Sequence, residues 1–196
     1  MEAFFVSTGV VALAEMGDKT QLLAFLLAAR FKKPLPIILG ILVATVLNHG
    51  MAGALGAWIA AHISPDVLRW ALGISFIAMA VWTLIPDQID EGLSPSNKGH
   101  WGVFGATFIS FFLAEMGDKT QIATVAMAVH YAQPLWVVIG TTLGMLIADV
   151  PAVFLGDKFA AKIPMRLVHG IAAAIFAVLG VVTLLGSVGK FGSQVL

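Results

Sequence analysis

The sequence predicts an all-α integral membrane protein with six transmembrane helices, arranged as two inverted three-helix repeats. Three observations support this fold class. The chain of 196 residues is 59% hydrophobic and only 11% charged, with a mean hydropathy of +0.96, whereas a soluble domain carries about 25% charged residues. Six apolar runs are each long enough to cross about 30 Å of hydrocarbon. One heptapeptide, EMGDKTQ, occurs at 15–21 and again at 115–121.

The repeat covers the whole chain without a gap. At an offset of one hundred residues, Pro34 matches Pro134 and Gly40 matches Gly140. We therefore expect a first three-helix repeat at 1–85, a cytoplasmic linker at 86–100 and a second three-helix repeat at 101–196. The six predicted spans lie near 3–29, 35–61, 67–85, 101–129, 135–155 and 167–187.

Three spans per repeat is an odd number, so the second repeat enters the membrane from the opposite side, as in many secondary transporters. Basic residues are most frequent in cytoplasmic loops. The loops after spans 1, 3 and 5 contain seven of them, and the opposite side contains only Arg69 and Lys190. This distribution predicts that both termini lie outside, on the face opposite the cytoplasmic loops. The seven are Arg30, Lys32, Lys33, Lys98, Lys158, Lys162 and Arg166.

Charge and composition also exclude several classes of function. Eleven basic and eleven acidic residues give no net charge, and no basic stripe is present, so nucleic acid is not an expected partner. The absence of cysteine excludes disulfides and thiolate metal sites. No nucleophile and base can be placed together, so we do not expect an enzyme, and no resident cofactor is expected. We expect membrane lipid to surround the protein. Whether it forms a homo-oligomer is left open by the sequence.

The duplicated motif places ionisable residues near the middle of spans 1 and 4. A charged side chain at that depth costs roughly 2.5–3.5 kcal/mol, so six of them cost on the order of 15 kcal/mol if they are not compensated. Pairing or a bound ion must therefore offset this cost. The six residues are Glu15, Asp18, Lys19, Glu115, Asp118 and Lys119.

Glutamate and aspartate three residues apart project from one face of a helix, with the lysine close enough to balance part of the charge. If the two copies meet at the midplane, four carboxylates and two lysines leave two negative charges uncompensated. This deficit suits one divalent cation, and hard oxygen ligands favour Ca²⁺, Mg²⁺ or Mn²⁺. The same carboxylates can bind protons when the metal leaves. Further oxygen ligands are offered by Thr20, Gln21, Thr120 and Gln121.

Spans 2 and 5 add polar residues at a similar depth. Asn48 and His49 occur in the first copy, and Asp149 occupies the position equivalent to His49 in the second. Each is a candidate ligand or proton relay, and each also has a structural interpretation. We expect Asn48 and His49 to be mainly structural. The structural and functional interpretations of Asp149 are balanced: a carboxylate costs more to bury than an imidazole, which favours a function, but a kink at Pro151 would also place it there.

The duplicated Glu-Met-Gly-Asp-Lys-Thr, at 15–20 and 115–120, resembles the Glu-x-Gly-Asp-Lys/Arg-Ser/Thr motif of the small cation/proton antiporters of bacteria, Golgi and chloroplasts. The resemblance extends over the whole chain. It implies metal coordination by Glu15, Asp18, Glu115 and Asp118. It also implies that the chain is similar to bacterial inner-membrane exporters that lower cytoplasmic manganese in exchange for protons, which would place both termini in the periplasm.

We therefore expect a divalent cation/proton antiporter, with Mn²⁺ preferred and Ca²⁺ as the alternative cargo. Two other functions remain open on the sequence. An amino-acid or small-solute exporter shares the inverted-repeat plan, and the lysines could meet a substrate carboxylate. A scaffolding protein would use buried ion pairs only to fix helix packing.

Overall fold

The computed structural model describes residues 1–85, 102–155 and 165–186, and every regular element in these ranges is an α-helix. The predicted linker at 86–100 lies outside the described residues. In chain order the helices are α1 (Glu2–Glu15), α2 (Lys19–Phe31), α3 (Pro34–His62), α4 (Pro65–Thr83), α5 (Gly102–Glu115), α6 (Lys119–Tyr131), α7 (Pro134–Leu155) and α8 (Met165–Leu184).

Four of these helices are long and apolar enough to cross a membrane, namely α3, α4, α7 and α8. Prolines begin three of them, at Pro34, Pro65 and Pro134, where the missing N–H costs nothing because the first turn has no acceptor for it. The predicted spans 2, 3, 5 and 6 correspond to these four helices.

The predicted spans 1 and 4 are not continuous helices, and this part of the expectation is wrong. Each is divided within the motif, so that α1 ends at Glu15 and α2 begins at Lys19, while α5 ends at Glu115 and α6 begins at Lys119. Helices of 13 or 14 residues rise only about 20 Å, which is less than the hydrocarbon thickness. Two such helices in succession are needed for one crossing.

Polar and apolar side chains are distributed as in a protein surrounded by lipid. Large apolar residues cover the exposed surface, including Leu35, Trp58 and Val178. Acidic, amide and hydroxyl side chains from both halves are buried instead, among them Glu15, Glu115 and Asp149. The driving force for burying the polar groups is that no water in the hydrocarbon can hydrogen-bond them.

The two halves interlock through their first and third helices. Helix α1 packs on α7, and the equivalent helix α5 packs on α3. The register of these contacts is the same in both halves: a Cβ placed on Gly140 would lie 2.6 Å from the Phe4 carbonyl oxygen, and one on Gly40 would lie 3.0 Å from the Phe104 carbonyl oxygen. Close helix approach through small residues is the usual means of association where lipid removes the hydrophobic driving force.

This close approach predicts a large difference between two glycine substitutions. Gly140→Ala should lower stability by about 1–3 kcal/mol, because the added methyl group meets backbone of α1 that cannot rotate away. Gly50→Ala, inside α3, meets nothing within 4 Å and should be neutral or stabilising by up to about 1 kcal/mol. Thermal unfolding of both variants in detergent checks this. Equal losses in the two would contradict the packing described for α1 and α7.

Candidate metal site

Each motif forms a break between two helices rather than one helical face. Met16 has an extended backbone, with φ −62° and ψ 118°, and Gly17 and Gly117 have φ values of 81° and 79°. Only glycine adopts this left-handed region without a steric penalty. The Gly of the motif therefore allows the chain to leave one helix and enter the next within three residues.

The motif residues stabilise the break themselves. The Gln21 Oε1 accepts a hydrogen bond from the Gly17 N–H at 3.0 Å, and the Gln121 Oε1 accepts one from the Gly117 N–H at 2.8 Å. These backbone donors belong to neither helix and would otherwise lack an acceptor in an apolar environment. The two glutamines, which we expected as further metal ligands, thus have a structural role at the break.

The break also places helix ends at the motif carboxylates. Glu15 and Glu115 are the last residues of α1 and α5, whereas Asp18 and Asp118 precede the first residues of α2 and α6. A helix carboxyl end carries partial negative charge and attracts cations, and an amino end favours carboxylates. Discontinuous helices that meet at mid-membrane are the usual framework of ion sites in secondary transporters.

Two ion pairs join the motifs across the repeat. The Lys19 Nζ lies 2.9 Å from the Asp118 Oδ1, and the Lys119 Nζ lies 3.4 Å from the Asp18 Oδ1. The sequence suggested that each lysine balances its own motif, and the structure shows that it pairs with the other one. Each pair therefore compensates buried charge and fastens the two halves together.

Three acidic residues converge between the two breaks. Oxygens of Glu15, Glu115 and Asp118 lie within 4.8 Å of one another, and all three side chains are buried. An ion that holds oxygen at about 2.4 Å has opposite ligands about 4.8 Å apart, so this spacing suits one shared cation. Asp18, the fourth acid of the predicted set, is not part of this group of three. Its carboxylate forms an ion pair with Lys119 instead.

The motif threonines orient the glutamates. The Thr20 hydroxyl donates to the Glu15 Oε2 at 2.7 Å, and the Thr120 hydroxyl donates to the Glu115 Oε2 at 3.1 Å. The Glu115 Oε1 has no hydrogen-bond partner among the described residues. A hydroxyl that donates to one carboxylate oxygen leaves the other oxygen for a cation or a proton.

Several polar atoms of α3 and α7 are buried without a hydrogen-bond partner among the described residues. The Asn48 Nδ2 donates to the Phe112 carbonyl at 3.1 Å, whereas the Asn48 Oδ1 has no partner there. Neither ring nitrogen of His49 and neither oxygen of Asp149 has a hydrogen-bond partner within residues 1–85, 102–155 and 165–186. A buried carboxylate without a partner is costly, so Asp149 calls for a functional explanation.

Helix α7 carries Asp149 beside the first helix break. The Gln21 Nε2 donates to the Ala148 carbonyl at 2.8 Å, which ties the first break to the residue before Asp149. Pro151 lies inside α7 and lacks the N–H that would bond the Ile147 carbonyl, so the carbonyl next to that of Ala148 loses its helical donor.

His169 is a further residue at the site, and it was not predicted from the sequence. Its Nε2 lies 2.6 Å from the Met16 carbonyl oxygen, at the first break. The available signal was a histidine inside an apolar run, because an ionisable residue there is by default a candidate functional residue.

Comparison with known proteins shows which family the chain matches. The family described as divalent cation/proton antiporter GDT1 matches residues 3–91 and 103–190, one segment in each half. A Vibrio cholerae protein named "Putative manganese exporter" is 50% identical over 93% of this chain and 90% of its own length. GDT1-like protein 5 of Arabidopsis thaliana is 25% identical, covering 94% of this chain and 96% of its own. No solved structure matches.

The crossed ion pairs predict a charge-swap rescue. Asp18→Lys alone should lower stability by about 3–5 kcal/mol, because it leaves two like charges buried together. The double variant Asp18→Lys with Lys119→Asp should recover most of that loss. Pairing Asp18→Lys with Lys19→Asp, in the same motif, is the matched control and should not rescue. Thermal unfolding of the purified proteins distinguishes the two double variants. If Lys19→Asp rather than Lys119→Asp restored stability, the ion pairs would form within each motif.

Proposed function

Because this chain belongs to the GDT1 family of divalent cation/proton antiporters, we propose that its two motifs together form one cation site and that Mn²⁺ is the cargo. The observation that carries this proposal is the convergence of Glu15 from one half with Glu115 and Asp118 from the other, within 4.8 Å. Neither half alone provides this set. The name of the Vibrio cholerae relative supports manganese, and carboxylate oxygens suit Mn²⁺ and Ca²⁺ better than softer metals.

The charges of the site support exchange with protons. Glu15, Asp18, Glu115, Asp118 and Asp149 are five buried carboxylates near two lysines, which leaves three negative charges when all are ionised. One divalent cation compensates two of them. We assign the remaining charge to a proton on Asp149, and protons replace the metal on the glutamates when the cation leaves.

The transport path follows from the proposed topology. In it, α1 and α2 together form one broken crossing, α5 and α6 form the inverted counterpart, and the other four helices each cross once. The contacts of α1 with α7 and of α5 with α3, in the same register, support the repeat. In the inner membrane, with both termini periplasmic, the site would load Mn²⁺ from the cytoplasm and release it outward as protons enter.

The two other functions are less well supported by the site. An amino-acid exporter needs a cation for the substrate carboxylate, but Lys19 and Lys119 are already paired with Asp118 and Asp18. A scaffold needs only balanced pairs, and it does not explain why acidic residues outnumber basic ones in the buried cluster.

Transport in proteoliposomes tests the proposed function. The native chain should exchange Mn²⁺ for protons across the vesicle membrane, and Glu15→Gln and Glu115→Gln should each lower the exchange at least about tenfold, as expected when a ligand to a buried cation is removed. Glu2→Gln, which changes an exposed glutamate at the start of α1, is the matched control and should exchange normally. Unchanged exchange in both site variants would overturn the assignment.

Proton release on metal binding tests the exchange chemistry. Metal and protons compete for the same oxygens, so lowering the pH should weaken Mn²⁺ binding, about tenfold per pH unit for each proton displaced. Adding Mn²⁺ to weakly buffered protein should release protons, and Asp149→Asn should change the number released, whereas Asp66→Asn, on the exposed start of α4, should not. Binding that is independent of pH would contradict proton coupling.

A further inference from the structure

We infer that His169 is a positioning residue which fastens α8 to the first helix break and thereby holds one of the two states of the transport cycle. The inference rests on the proposed function and deepens it. Because the Met16 carbonyl carries no hydrogen, the Nε2 of His169 must be the donor in the 2.6 Å hydrogen bond. The residue before Met16 is Glu15, so the bond positions the backbone next to a proposed ligand.

Among the described residues, the second half has no equivalent bond. At the offset of one hundred residues, Arg69 of α4 corresponds to His169, and Met116 corresponds to Met16. Arg69 lies elsewhere: its guanidinium is 5.7 Å from the centre of the Trp70 ring, and a Cβ placed on Gly186 would be 3.4 Å from its Nη1. Met116 is 52% exposed, whereas Met16 is half-buried. Within the part of the chain that the structure describes, His169 thus contacts the first break, and the second break is the more exposed.

Helix packing shows the same asymmetry on a larger scale. Helices α4 and α8 pack tightly on each other, and this pair packs against α1 and α6. In the described part of the chain it makes no comparable contact with α2 or α5. In the proposed topology α1 and α6 occupy the same half of the bilayer, so the α4–α8 pair closes that half.

The proposed inverted relationship of the two repeats, which share an identical motif, indicates what the other state looks like. Exchanging the roles of the halves would place the α4–α8 pair against α5 and α2, with Arg69 beside the Met116 carbonyl. His169 must then leave the Met16 carbonyl. A single hydrogen bond in a buried site is strong enough to shift such an equilibrium by about three- to tenfold. His169 and Arg69 are thus alternate donors to the two breaks, one for each state.

Thiol reactivity tests this, because the chain contains no cysteine and single cysteines can be introduced without background. Met16→Cys reports on the first break and Met116→Cys on the second. The reaction of each with N-ethylmaleimide is measured in metal-free detergent solution, with and without His169→Ala. We expect His169→Ala to raise the reaction rate at position 16 about three- to tenfold and to lower it at position 116.

The reciprocal change distinguishes a change of state from local damage. A higher rate at position 16 with no change at 116 would mean that His169 only fills space, and higher rates at both positions would mean misfolding; either result overturns the inference. His169→Gln, whose amide can still donate to the carbonyl, should restore the native rates. The readout uses no metal, so its failure would leave the cation site standing, and loss of Mn²⁺ exchange would not alter it.

Discussion

The crossed ion pairs between the two motifs are the interaction on which the rest of the structure depends. Lys19 with Asp118 and Lys119 with Asp18 bring two helix breaks face to face in an apolar interior. Once the breaks are joined, Glu15 and Glu115 must lie between them, at two helix carboxyl ends where negative potential accumulates. The clustering of these carboxylates is thus a consequence of how the halves are fastened together.

The same arrangement explains why a symmetric motif can serve an asymmetric task. Both breaks have the same internal hydrogen bonds, from threonine to glutamate and from glycine to glutamine. The residues around the breaks differ. At equivalent positions the first half has His49 and Arg69, whereas the second half has Asp149 and His169. The two breaks are thus alike, whereas their surroundings differ: His169 of α8 contacts the first break, and Arg69 of α4 lies beside Trp70.

Much of the site could be predicted from the sequence, because the repeat is nearly identical at the motif. Charge arithmetic at EMGDKTQ identified the acids and lysines without any coordinates. The break could not be predicted in the same way, since apolar residues flank the motif as they would in a continuous helix, and one glycine inside such a run is common. Packing between distant segments decides which lysine pairs with which aspartate. It also decides the contact of His169 with Met16. A single sequence does not record such packing.

The most direct test of a shared site is the number of Mn²⁺ ions bound per chain at saturation, counted by equilibrium dialysis of the purified protein. A site built from both halves predicts one ion per chain, and it predicts that Glu15→Gln and Glu115→Gln each abolish tight binding of that one ion. Two ions per chain, with one remaining in each single variant, would show that each motif binds metal separately and would contradict the account.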